Sequence, residues 1–119
     1  MLEVELPYPP SVNHYYRHVG PQTIISREGR MYRQRVIAAL AGLGVWTMEG
    51  PLEVHIALFP PDRRRRDIDN AQKALLDSLQ HAGAYRDDSQ VRKLVAEMCD
   101  PVPGGKVVVA IRRRGVGRA

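Results

Sequence analysis

Two pairs of aspartates, Asp67 with Asp69 and Asp87 with Asp88, are the side chains of this sequence best suited to metal-assisted chemistry. The first pair lies where a helix is predicted to begin, and the second follows that helix after a short connection. Converging carboxylates repel one another unless a cation lies between them, and hard oxygen ligands suit Mg²⁺ or Mn²⁺. Such an ion can polarise a phosphoryl oxygen, generate hydroxide and shield the leaving oxygen. The pattern therefore predicts metal-dependent phosphodiester cleavage.

The spacing of the first pair restricts how it can act. Positions two apart point to different sides of a regular helix, so Asp67 and Asp69 converge only if Asp67 lies at the cap. Lys73 then follows Asp69 by one turn, where it could stabilise charge on a phosphorane or orient the nucleophile. Each residue also has a structural explanation: the aspartates could cap a helix or a turn, and Lys73 could pair with Asp69 or Asp77.

Four consecutive arginines, Arg63–Arg66, lead directly into the first aspartate pair. The whole chain has fifteen arginines against three lysines and a net charge of +5. Guanidinium groups bind phosphates in a bidentate way, so this composition favours a nucleic-acid partner. A basic run can also be a solvated loop, and the charge alone does not separate the two explanations.

Several other classes of protein are disfavoured by the sequence. Cys99 is the only cysteine, which excludes an internal disulfide, suits the cytoplasm and predicts packing as a small hydrophobe. The apolar runs are too short for a membrane span or a secretory signal.

Trp46 and Tyr85 could stack on unpaired bases, but packing in the core or at its rim is the favoured interpretation. No zinc site is predicted, because ligand spacing is missing from the histidines His14, His18, His55 and His81.

The hydrophobic periodicity predicts the elements that must position these residues. Strands are predicted at Leu2–Leu6, from Leu52 to Pro60, at about Val91–Met98 and at about Lys106–Arg113, with a ribbon between Tyr15 and Ser26. Helices are predicted at about Gly29–Leu43 and Ile68–Ala82, the second burying Ile68, Ala71, Leu75, Leu79 and Ala82. This order predicts one α+β domain over residues 1–114, a mixed sheet of about four strands with two helices mainly on one face, and a short basic tail at 115–119.

The sequence resembles the RusA-type Holliday junction resolvases over most of its length. The resemblance is carried by Leu6-Pro7-Tyr8-Pro9-Pro10-Ser11 with Asn13 and Tyr15-Tyr16-Arg17-His18, by the segment from Pro61 to Lys73, and by the segment from Gly83 to Val91. The string from Asp62 to Lys73 is long and chemically unusual, which makes the resemblance specific. The sequence departs from the family pattern mainly between Val19 and Gly50 and in its arginine-rich tail.

The resemblance implies a homodimeric, Mg²⁺-dependent endonuclease that nicks four-way DNA junctions symmetrically on two opposing strands, with a preference for particular dinucleotides. It places the metal-binding aspartates at Asp67, Asp69 and Asp88, with Asp87 as a further candidate, and the catalytic lysine at Lys73. Mn²⁺ is a possible substitute. We expect no membrane partner, no small-molecule cofactor and a cytoplasmic location in a bacterium or a phage-infected cell. The DNA-binding candidates are Arg63, Arg64, Arg65, Arg66, Asn70, Asn13 and Arg17.

Two other functions stay open from the sequence. A non-catalytic DNA- or RNA-binding module would explain the positive charge, but not why four aspartates interrupt a phosphate-binding surface. A metal-dependent nuclease acting on flaps or single strands would use the same residues, and the sequence does not distinguish it from a junction resolvase.

Overall fold

A computed structural model describes residues 1–44 and 46–115. Its strands are β1 (Leu2–Leu6), β2 (Tyr16–Val19), β3 (Gln22–Ile25), β4 (Leu52–Phe59), β5 (Val91–Met98) and β6 (Lys106–Arg113). The main sheet has the order β1-β6-β4-β5, and β2 and β3 form a separate hairpin. Because β5 is parallel to β4 while the other pairs are antiparallel, the sheet is mixed, as predicted.

In the described part of the chain, three helices accompany the strands: α1 (Val12–Tyr15), α2 (Arg27–Leu43) and α3 (Gln72–His81). Two 3₁₀ turns, Ile68–Ala71 and Asp88–Gln90, lie before and after α3. Helix α2 begins two residues earlier than predicted because the Ser26 hydroxyl caps it, accepting a hydrogen bond from Gly29 N at 2.9 Å. Gly44 ends the helix in the left-handed conformation, with φ of 63°.

The core lies between the helices and one face of the main sheet. Alternate residues of β4, Leu52, Val54, Ile56 and Leu58, are buried, whereas their neighbours on the other face are mostly half-buried. Helices α2 and α3 contribute to the same core through Tyr32, Val36, Leu40, Leu75 and Leu79. The predicted α+β fold, with its helices on one sheet face, is therefore confirmed.

The loop before α3 corrects one prediction about the core. The sequence predicts a buried Ile68, but this residue is 39% exposed, whereas Ala71, Leu75 and Leu79 are buried as predicted. The chain enters α3 through a 3₁₀ turn, whose three-residue period rotates Ile68 out of the apolar stripe.

The two aromatic residues considered for stacking differ. Tyr85 is 1% exposed and packs in the core, as predicted. The packing prediction is wrong for Trp46, which lies between α2 and β4 and is 87% exposed. Of the predicted tail, residues 116–119 lie outside the described part of the chain. Within residues 1–44 and 46–115, no helix is long and apolar enough to cross a membrane.

A close backbone contact fixes α1 against the start of α2. Ser26 N donates to Tyr15 O at 2.9 Å, and a Cβ atom on Gly29 would lie 2.5 Å from the same oxygen. Only glycine allows this approach. The contact holds the short helix that carries Asn13 and His14 beside the loop described next.

Candidate active site

The arginine run is a folded loop. Asp62 organises it: its Oδ1 accepts from Arg66 Nη1 at 2.8 Å and from Arg64 N at 2.9 Å. These hydrogen bonds, first from Arg66 and then from Arg64, lower the pKa of Asp62 to about 2. The Arg66 guanidinium also lies 5.8 Å from the centre of the Tyr8 ring. Arg66 therefore shapes the loop, while the side chains of Arg63, Arg64 and Arg65 stay exposed.

A cleft of about 590 Å³ opens between this loop and the proline-rich segment after β1. Its lining includes Tyr8, His14, Arg64, Arg65, Asp67 and Asn70. The Ser11 hydroxyl lies 2.8 Å from His14 Nδ1 and fixes that ring at the edge of the cleft. Asn13 and Arg17 are exposed on α1 and β2 but do not line this cleft within the described residues.

Asp67 and Asp69 lie at the start of the first 3₁₀ turn. Asp67 is the extended residue just before the first 3₁₀ turn, and its side chain makes no capping hydrogen bond. The capping explanation therefore does not describe Asp67. Asp69 lies inside the turn and is exposed. This turn contacts β5, the strand that the second aspartate pair leads into.

The aspartates of the second pair have different surroundings. Asp87 caps the second 3₁₀ turn, since its Oδ1 accepts from Ser89 N at 2.8 Å, so the capping explanation does describe Asp87. Asp88 is held through its backbone, whose N–H donates to Gln80 Oε1 at 2.8 Å. Burial raises the pKa of the Asp88 carboxyl, against the opposing influence of the Tyr85 hydroxyl and the Lys73 charge.

Asp88 Oδ1 is the clearest sign of a missing partner. It is buried and accepts no hydrogen bond from any residue in the described part of the chain. A buried carboxylate oxygen normally has a partner, and a cation would supply one. In residues 1–44 and 46–115, no three His, Cys, Asp or Glu side chains are gathered closely enough to surround an ion. Mg²⁺ is usually held by one or two carboxylates together with water and substrate phosphates. The aspartates of this site therefore fit Mg²⁺ even though they do not form a complete shell of protein ligands.

Lys73 is exposed near the start of α3 and forms none of the ion pairs found among the described residues. The alternative of a surface ion pair with Asp69 or Asp77 therefore does not describe it. Asp77 instead pairs with Arg33 of α2, with Arg33 Nη2 2.7 Å from Asp77 Oδ2. The ammonium group is available to an incoming anion.

Comparison with known proteins identifies the family of this chain. The profile of the family described as endodeoxyribonuclease RusA matches residues 7–112. The crossover junction endodeoxyribonuclease of Enterobacteria phage 82 is 40% identical over 114 residues, which are 94% of each chain. The corresponding protein of Escherichia coli K12 is 39% identical over 116 residues, 94% of each chain, and that of Enterobacteria phage HK97 is 43% identical over 109 residues, 89% of each.

The chain belongs to the RusA family. The resemblance predicted from the sequence motifs is thus confirmed, and the matched region includes both aspartate pairs and the arginine run. The roles of Asp67, Asp69, Asp88, Asp87 and Lys73 stay predictions.

Sequence reasoning missed several residues that line the cleft or lie near the candidate site. Tyr8 and His14 line the cleft, and Gln80 Oε1 accepts a hydrogen bond from the backbone of Asp88. Outside the cleft, Tyr15 and Arg33 both bind the Asp77 carboxylate. Tyr8, His14 and Tyr15 lie within or beside the quoted N-terminal motifs, which was the one signal available for them. Gln80 and Arg33 act through contacts that their local sequence does not reveal.

Proposed function

We propose that this chain is a metal-dependent endodeoxyribonuclease that resolves four-way DNA junctions by paired, symmetric nicks. The observation that carries the proposal is the cleft in which exposed arginines meet the uncapped carboxylate of Asp67. Carboxylates oppose phosphate binding unless a cation joins them, so a merely DNA-binding surface would not need them there. Relatives named crossover junction endodeoxyribonucleases support the junction as substrate.

Each side chain has a role in this proposal. Arg64 and Arg65 bind the phosphate backbone along the cleft, and Asn70 contacts the nucleotide next to it. Mg²⁺, for which Mn²⁺ could substitute, would be held by carboxylates drawn from Asp67, Asp69 and Asp88 together with water and phosphate oxygens of the DNA, since these aspartates do not by themselves surround an ion in the described residues. When bound, the ion would supply an activated water and would shield charge on the phosphoryl and leaving oxygens. Lys73 donates a hydrogen bond to a phosphoryl oxygen as negative charge develops there in the transition state. We assign Asp87 to shaping the turn that presents Asp88, since its carboxylate is already a cap.

Symmetric cleavage requires two such sites, and we propose that a homodimer supplies them. A two-fold axis of the dimer would coincide with the two-fold axis of the junction. The β5 edge of the main sheet, the β1 edge and the Val19–Gly50 region are the candidate interfaces, because unpaired edge strands invite partners. The phage and E. coli relatives support action on DNA in the bacterial cytoplasm. Sedimentation equilibrium should return about twice the 13.4 kDa chain mass.

A cleavage assay with immobile four-way junction, duplex, flap and single-stranded DNA tests the proposal, each with and without Mg²⁺. We expect paired nicks in the junction only when the metal is present. Asp69→Asn should abolish cleavage while leaving metal-free junction binding intact or slightly tighter, because a charge that repels phosphate has been removed. Preferred cleavage of flaps or single strands would show that the four-way junction is not the main substrate. Binding of all substrates without any cleavage would make the chain a binding module.

A further inference from the structure

Asp77 lies one helical turn beyond Lys73 on α3, the spacing at which opposite charges on a helix can meet. In the structure Asp77 does not take Lys73 as its partner. Its Oδ2 accepts from Arg33 Nη2 at 2.7 Å and from Arg33 Nε at 3.3 Å, and the Tyr15 hydroxyl donates to the same oxygen. Arg33 Nε also donates to the Tyr15 hydroxyl at 2.8 Å. Three side chains from three helices therefore form one closed network.

The network is mostly shielded from solvent, so its ion pair is stronger than an exposed one. The side chains of Arg33 and Asp77 are 21% and 16% exposed. Removing the cation of a shielded ion pair leaves an uncompensated carboxylate, which is unfavourable and attracts any other cation within reach. Lys73 is the cation one turn away on the same helix. His81, one turn beyond Asp77 on the other side, already lies 4.0 Å from Asp77 Oδ1 and is a cation only when protonated.

We propose that Arg33 is a positioning residue that keeps Lys73 free: by occupying Asp77, it prevents this carboxylate from binding the lysine that would otherwise contact the scissile phosphate. The proposal rests on the proposed function for the role of Lys73, but the competition between two cations for Asp77 is a property of the chain itself. Arg33 lies on α2, outside the cleft and remote in sequence from every residue assigned above. No contact between Arg33 and DNA is required.

A mutant cycle tests the proposal. It distinguishes the capture of Lys73 by Asp77 from a simple loss of the stability that the Arg33–Asp77 ion pair provides. Arg33→Gln and Arg33→Met both remove the cation, and the methionine preserves most of the packing. We expect each to lower the single-turnover rate of junction cleavage by about tenfold, a fraction of the 10²–10³-fold expected for Lys73→Ala. Adding Asp77→Asn to either variant should restore the rate to that of Asp77→Asn alone. In the Lys73→Ala background, Arg33→Gln should have no further effect on the rate.

Two controls make the cycle decisive. Tyr15→Phe removes one hydrogen bond to Asp77 but leaves Arg33, so it should lower the melting temperature and leave the cleavage rate close to wild type. All rates are compared well below the lowest melting temperature of the set. A double variant that is as slow as Arg33→Gln, or slower, would show that the network is only a brace and would overturn the proposal.

A structural measurement keeps this proposal separate from the proposed function. A crystal structure of metal-free Arg33→Gln should place Lys73 Nζ within ion-pairing distance of an Asp77 carboxylate oxygen, whatever the chain cleaves. If the wild-type chain fails to cut any junction, the proposed function fails while this measurement still decides the competition. If Lys73 stays apart from Asp77 in that structure, the positioning role fails even in an active nuclease.

Discussion

Among single side chains, Asp88 shows most directly how a site can be costly to the fold that carries it. Its buried Oδ1 has no partner within the described residues, and an unpaired buried charge destabilises a folded chain. We therefore expect Asp88→Asn to lower Mg²⁺-dependent cleavage about 100-fold or more, as for loss of a group that acts on the transition state. The same change should raise the free energy of unfolding, measured in urea with EDTA present.

Asp87→Asn is the matched control, since asparagine caps a turn as well as aspartate does. It should leave both stability and cleavage within a few-fold of wild type. A loss of cleavage as large as that of Asp88→Asn would instead make Asp87 a further metal ligand.

Among the elements, the loop over residues 62–66 should carry the electrostatic part of DNA binding. Arg64 and Arg65 line the cleft, and Asp62 holds Arg66 in a structural role. Changing Arg64 and Arg65 to glutamine should flatten the slope of log K against log salt by about 0.9 for each phosphate that the variant no longer neutralises. Metal-free binding titrations over a range of salt measure this slope. Lys93→Gln removes a charge from β5 on the sheet face opposite the helices, and an equal change there would mean that only the total charge matters.

The α1–α2 contact predicts opposite effects for two glycines of one helix. Gly29→Ala would place a methyl group 2.5 Å from Tyr15 O, so it should destabilise the chain by about 1–3 kcal/mol despite the helix preference of alanine. Gly42→Ala meets nothing within 4 Å and should stabilise the chain by about 0.5–1 kcal/mol. Urea unfolding of both variants measures the difference. Equal effects at the two positions would show that α1 does not pack on Gly29 in solution.

For the chain as a whole, we expect the free energy of unfolding to fall in acid, partly because of an ion-pair cluster on the sheet face opposite the helices. There Glu53 accepts hydrogen bonds from His55 and Arg112, which lower its pKa from an ordinary value near 4.5 to about 2. A lowered pKa in the folded state stabilises the chain above pH 4.5, and this contribution is lost as the pH falls towards 2. Glu53→Gln should therefore be less stable than wild type at about pH 7, with the difference vanishing near the acid end.

Urea unfolding over this pH range provides the measurement. Glu97→Gln removes an exposed carboxylate of the same face that forms no ion pair within the described residues, and it should have little effect at any pH. A Glu53→Gln difference that does not change with pH would rule out the ion pair as its cause.

Local patterns predicted much of this molecule. The alternation of Leu52, Val54 and Ile56 located β4, and the bounds predicted for β5 and β6 agree with the structure. What periodicity could not predict depends on tertiary contacts. The Arg33–Asp77 pair joins residues 44 positions apart, and the 3₁₀ entry to α3 changed the burial of Ile68. The aspartates were found because their chemistry is unusual in a basic segment, whereas the surroundings that distinguish Asp88 from Asp87 required the folded chain.

The position of β6 between β1 and β4 has a consequence for synthesis. β1 leaves the ribosome first, but within the described residues its sheet partner is β6. The backbone of Leu2 therefore lacks its strand partner until Ile111 has been synthesised. Residues 62–88, with all the candidate catalytic aspartates, are translated well before the sheet beneath them can close. Pairings between distant segments form slowly, and domains fold as units once their sequence is available. A ribosome-bound chain whose β6 is still in the exit tunnel should therefore expose its arginines and aspartates before the cleft lined by Arg64, Arg65 and Asp67 has formed. Any nuclease activity would then be delayed until the last strand has been translated.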